Sequence, residues 1–119
     1  MEKFKPPCLV LLHGEMGAGK TTWVKDVMKK LCPNVHVTSP TFTIINQYAD
    51  NIFHADLYRI KDITELENTD FFEILNGKNI FFIEWPFNNV PSDIYKAHPN
   101  VVNINIEVLK NGKRKITSY

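Results

Sequence analysis

The stretch GEMGAGKT, residues 14–21, constrains this chain more than any other, because it follows the pattern G-x-x-x-x-G-K-[ST] and has the flanks that pattern requires. Ahead of it, CLVLL at residues 8–12 is a short, continuously apolar run preceded by Pro6 and Pro7, as expected of a strand buried on both faces. Behind it, Trp23, Val24, Val27, Met28 and Leu31 recur at helical spacing, Lys29 and Lys30 fall in the last turn, and Pro33 stops the pattern. The spacing predicts a helix over about residues 20–32. With glycine near 7% of residues, a chance match of the four fixed positions in a chain this long is expected less than roughly 0.01 times.

The chemistry of such a loop is phosphate binding. Backbone N–H groups can wrap phosphate oxygens only where side chains stay clear, hence Gly17, Ala18 and Gly19, and the helix start adds positive potential. Lys20 is expected to bridge β- and γ-phosphates and to act in catalysis, and Thr21 to offer its hydroxyl to Mg²⁺. Glu15, Met16, Gly17, Ala18, Gly19, Lys20, Thr21 and Thr22 are therefore the candidate nucleotide-binding residues, with ATP and Mg²⁺ as cofactors.

Such a site needs a second acid at the end of a neighbouring strand. NIFFIEW, residues 79–85, reads as a buried strand ending at Glu84, the metal candidate beside Thr21; alternatively Glu84 is a solvated acid at a strand end. Ile52, His54 and Asp56 share one face of another strand because side chains alternate. Asp56 is the catalytic candidate, with an ion pair to Arg59 as the competing role, and a structural role is expected of His54. Ser39, Pro40, Thr41, Phe42 and Thr43 occupy the place where switch segments contact a γ-phosphate, or else form a polar turn.

The rest of the chain reads as two short extended pieces around Ser39 and Pro40, a turn at Asp50 and Asn51 into the strand of residues 52–56, and one helix over residues 62–75. After Glu84, Trp85, Pro86, Asn88 and Asn89 mark a loop, and Asn111 and Gly112 join the alternating segment of residues 101–108 to a return strand at 113–119. The expected architecture is α/β, a P-loop NTPase-like three-layer fold with a mixed central sheet that includes antiparallel hairpins. With 119 residues, one domain over residues 1–119 is expected. Fourteen Lys and Arg against 13 Asp and Glu leave a net charge of +1, so no bulk field favours nucleic acid or an anionic membrane. Cys8 and Cys32 are too few and too far apart for a disulfide framework or a zinc cluster, and no run is long enough for a signal or membrane span, which points to the cytoplasm.

Taken together, GEMGAGKTT (14–22), SPTFT (39–43), HADLYRI (54–60) and IEWP (83–86) resemble the TsaE (YjeE) family of bacterial P-loop ATPases required for threonylcarbamoyladenosine modification of tRNA. The order and spacing of all four match, over about residues 9–108. The resemblance implies an ATPase that works with a TsaB–TsaD pair and meets tRNA only indirectly. It implies phosphate and Mg²⁺ roles for Lys20 and Thr21, a second Mg²⁺ contact for Glu84, and the hydrolysis-critical carboxylate for Asp56. Thr43 falls in the implied switch segment, and Trp85 takes a place beside the nucleotide. Two departures stand out: Met16 replaces the usual leucine, and only residues 1–7 precede the first strand, where the family carries a segment that helps hold adenine. The competing functions are a small-molecule P-loop kinase, whose lid would be poorly supplied by Arg59 and Arg114, and a non-catalytic nucleotide-dependent adaptor. Slow intrinsic hydrolysis is expected, with partners completing the site. The basic NGKRK turn, residues 111–115, is expected to be a solvated hairpin tip or a contact for partner or tRNA.

Overall fold

A computed structural model describes residues 4–35 and 44–119. The expected first extended piece and the SPTFT segment, Thr43 included, lie outside the described residues. The elements are β1 (Cys8–His13), α1 (Lys20–Leu31), β2 (Ile45–Ala49), β3 (Ile52–Asp56), α2 (Thr64–Glu67), α3 (Phe71–Asn76), β4 (Ile80–Glu84), α4 (Asp93–Lys96), β5 (Val101–Val108) and β6 (Arg114–Ser118). The six strands form one mixed sheet in the order β2-β3-β4-β1-β5-β6. Parallel pairing joins β3 to β4, β4 to β1 and β1 to β5, and the edge strands β2 and β6 add on as antiparallel hairpins, as expected.

Alternation along the apolar strands builds two cores, one on each face. Cys8, Val10 and Leu12 of β1, Ile80 and Phe82 of β4, and Ile104 and Ile106 of β5 pack with Val24, Val27 and Met28 of α1. Leu9, Leu11, Phe81 and Ile83 point the other way, onto Leu66 of α2, Phe71, Ile74 and Leu75 of α3, and Tyr95 of α4. That is why β1 and β4 show no polar alternation: both faces are covered. Each such large side chain, fully buried, contributes about 1.5–3 kcal/mol. Among the described residues no helix is long and apolar enough to cross a membrane.

Two elements differ from expectation. The single helix expected over residues 62–75 is two short helices with a break at Asn68, Thr69 and Asp70. The Thr69 hydroxyl donates to Leu66 O at 2.7 Å and accepts from Phe71 N–H at 3.1 Å, so a side chain takes the bonds a continuous helix would make through its backbone. At the start of the segment Asp62 Oδ1 accepts from Thr64 N–H, and Glu65 Oε2 accepts from Asp62 N–H, both at 2.9 Å. The loop expected after Trp85 contains α4, which buries Tyr95 and sends its hydroxyl to Pro86 O at 2.6 Å. A start signal for it, Pro91, Ser92 and Asp93, is present in the sequence.

Thr69→Ala is expected to cost about 1 kcal/mol of stability, the usual effect of removing a cap. Thr69→Ser should restore it, as read by urea denaturation midpoints.

Candidate functional site

The sheet's parallel register brings the site together. In it, Asp56 of β3 stands beside Glu84 of β4, and Glu84 beside Leu12 of β1, so three strands end level where the loop of residues 14–19 leads into α1. Ligands of open parallel sheets gather at this carboxyl edge.

The loop follows a path that needs glycine. Gly14, Gly17 and Gly19 have φ of 151°, 81° and 101°, and a β-carbon on Gly14 would sit 2.6 Å from Ile106 O. Gly19 is the N-cap of α1, which has no side-chain cap hydrogen bond and no acid in its first turn. The helix start therefore presents amides and positive potential with no built-in anion to answer them. A cleft of about 450 Å³ opens between the loop and β5, lined by Gly14 to Ala18 on one side and Asn105 to Val108 on the other.

Lys20, the first residue of α1, is buried at 6% exposure. Its Nζ donates to Gly14 O at 2.7 Å and Glu15 O at 3.1 Å, and lies 4.2 Å from the centre of the Trp85 ring. Burial lowers its pKa, opposed by the nearby charges of Glu84 and Asp56. Thr21 Oγ1 donates to Glu84 Oε2 at 2.9 Å. Glu84 is thus a buried acid bound to the loop's hydroxyl, and the alternative of a solvated strand end does not hold.

Asp56 is half-buried, and burial raises its pKa above the ordinary carboxylate value, against the Tyr58 amide that donates to Oδ1 at 2.9 Å. Lys20 and His54 pull it down and Glu84 pushes it up, so all four groups share one electrostatic environment. Asp56 makes no ion pair with Arg59, which is exposed. His54 is fully buried, with Nε2 2.5 Å from Glu84 Oε2 and Nδ1 2.7 Å from the Tyr48 hydroxyl.

The structure therefore brings Lys20, Thr21, Asp56, Glu84 and Trp85 together. Met16 and Thr22 are exposed on the loop and the first turn, and Glu15 contributes its carbonyl. Trp85 sits at φ 56°, an uncommon conformation for a large residue, and its ring lies 5.0 Å from that of Tyr58.

Sequence reasoning missed two contributors. Arg114, expected in a solvated hairpin tip or a contact for partner or tRNA, lies against Gly19 and donates to its carbonyl at 3.4 Å. Asn88 Nδ2 donates to Leu57 O at 2.7 Å and Tyr58 O at 2.8 Å, tying the segment after Glu84 to the segment after Asp56. Neither carries a motif; both depend on which strands become neighbours.

A family model described as "Threonylcarbamoyl adenosine biosynthesis protein TsaE" matches residues 1–116. The chain belongs to the TsaE family. The tRNA threonylcarbamoyladenosine biosynthesis protein TsaE of Rickettsia prowazekii is 40% identical, covering 95% of this chain and 78% of its own. TsaE of Aquifex aeolicus is 37% identical over 93% of this chain and 76% of its own. The crystal structure of Bacillus subtilis YdiB superposes with a TM-score of 0.65 at 27% identity, covering 98% of this chain and 70% of that one. Resemblance on four motifs and the mixed α/β sheet are thus both upheld for this TsaE-family chain.

At Gly14 both the backbone angle and the Ile106 carbonyl oppose a side chain, whereas a β-carbon on Gly17 would meet nothing within 4 Å. Gly17→Ala is expected to cost about 1–2 kcal/mol from left-handed backbone alone, and Gly14→Ala distinctly more. Urea midpoints of the two variants give the order.

Proposed function

We propose that this chain is the ATP-binding and ATP-hydrolysing subunit of the machinery that forms N6-threonylcarbamoyladenosine in tRNA, dependent on Mg²⁺ and acting with a TsaB–TsaD-type complex. The family membership supports the pathway, since the relatives are named for it. The observation that carries the chemistry is the convergence of a glycine loop, Lys20, Thr21 and the buried Glu84 at one uncapped helix start.

In this reading, Lys20 exchanges the Gly14 and Glu15 carbonyls for β- and γ-phosphate oxygens. An ammonium already held inside the loop loses little further side-chain freedom in the exchange. The amides at the start of α1 receive the phosphate charge. Thr21 and Glu84 are oxygen donors of the kind Mg²⁺ accepts, and two such donors suit a cation that shares its ligands with phosphates rather than one in an all-protein cage. When bound, Mg²⁺ offsets charge on the transferred phosphoryl group. Asp56, with its pKa raised by burial, is placed to orient the attacking water and accept its proton.

The same geometry supports slow turnover in isolation. Among the described residues, the half-buried Asp56 and the exposed Tyr58 and Arg59 lie at the surface beside the site, where a partner can dock and exclude water. ATP would order this surface, and docking would tighten ATP by the same factor. A direct role on the tRNA base is not part of this reading.

Lys20→Ala is expected to abolish tight ATP binding in calorimetric titration, and unchanged affinity would remove the nucleotide reading. Asp56→Ala should keep ATP affinity while phosphate release falls by about 10²–10⁴-fold, measured with and without the purified TsaB–TsaD pair. Normal turnover with a lowered melting temperature would assign Asp56 to structure. Phosphate release that the pair leaves unchanged would count against the partner-dependent ATPase.

A further inference from the structure

The roles above use Lys20, Thr21, Glu84 and Asp56 and leave His54 and Tyr48 without a task. His54 bonds the Glu84 carboxylate, and Tyr48 bonds His54. His54 projects from β3 on the same face as Ile52 and Asp56 and beside Phe82, its register partner on β4, on the side of the sheet that carries the apolar core under α1. An aliphatic side chain would fill that space without requiring polar partners, yet the position holds a ring whose two nitrogens are both engaged.

A carboxylate oxygen accepts, so His54 Nε2 is the donor to Glu84 Oε2 at 2.5 Å. On the other side of the ring, Nδ1 lies within hydrogen-bond distance, 2.7 Å, of the Tyr48 hydroxyl. Burial pushes the Tyr48 hydroxyl up to about 12, so it keeps its proton near neutrality. Thr21 donates to the same Oε2 at 2.9 Å. Two donors on separate elements thus converge on one oxygen, and together they define how the carboxylate is turned.

We propose that His54, oriented by Tyr48, is a positioning residue that holds Glu84 Oε2 against Thr21, so that the share of Glu84 offered to a divalent cation falls to Oε1; this rests on the nucleotide and Mg²⁺ reading above. Outer partners that orient metal-binding side chains in this way govern cation affinity by about 10–100-fold.

The test compares wild type, His54→Leu, His54→Gln and Tyr48→Phe. ADP is titrated calorimetrically in excess Mg²⁺ and in EDTA, and ¹⁵N NMR of the nucleotide-free protein reads the protonation pattern of the His54 ring. In wild type, Mg²⁺ should tighten ADP binding, and the ring should carry its proton on Nε2. His54→Leu should lose about tenfold of the Mg²⁺ advantage, with EDTA affinity unchanged. His54→Gln, whose amide can donate from nearly the place of Nε2, should recover most of it. Tyr48→Phe keeps the shape and serves if the His54 variants fail to fold: it should shift the Nδ1 resonance and lose part of the advantage. A full Mg²⁺ advantage in the folded variants, or equal losses with Mg²⁺ and EDTA, would overturn the proposal while leaving the nucleotide reading in place. A wild type with no Mg²⁺ advantage would remove the Mg²⁺ reading and the proposal with it.

Discussion

The parallel pairing of β4 with β1 on one side and β3 on the other sets Glu84 level with Leu12 and Asp56. From that register the remaining geometry follows. Side chains alternate, so Glu84 continues the face of Ile80 and Phe82, the face that α1 covers. The start of α1 must then lie over the end of β4, which puts Thr21 within 2.9 Å of Glu84. A slip of one residue in either pairing would turn the acid away from the loop and bury the wrong side of the strand. The apolar cores on both faces are what prevent the slip, so the same burial that stabilises the sheet also places the acid.

The polar groups at this edge sit where water is scarce, and each is held by a neighbour. Lys20 gives up hydration and recovers two carbonyls and the face of Trp85. Glu84 gives it up and recovers Thr21 and His54. Buried charge without such partners would be costly, and breaking one partnership typically costs about 3–5 kcal/mol. The polar groups of the site are therefore held by the chain's own donors and acceptors, the loop carbonyls on Lys20 among them.

The hairpins at the two sheet edges serve this centre differently. β2 brings Tyr48 to His54, inside the sheet's α1-facing layer. β6 is exposed along its length, yet its first residue, Arg114, returns to Gly19. Charged residues on an exposed edge strand also discourage further strands from adding there. The Asn88 amide then ties the two loops that follow β3 and β4, so that Asp56 and Trp85 are held by segments that restrain each other.

What the sequence alone determined was local or patterned: the glycine loop between an apolar run and an amphipathic helix, the two antiparallel hairpins, the parity that puts His54 and Asp56 on one face, and the acid closing β4. Each rests on backbone freedom or side-chain period within a few residues. The tertiary structure decided everything that depends on which strands are neighbours. It joined Thr21 to Glu84 across 63 positions and His54 to Glu84 across 30, replaced the Arg59 alternative for Asp56 with the Tyr58 amide, and laid Arg114 on the loop. It also broke the helix of residues 62–75 at Thr69, where a hydroxyl competes with the backbone and Phe71 is drawn fully into the core. Periodicity sees which residues want burial, but pairing of distant strands is chosen by the closure of the whole core, and no window along the chain contains that information.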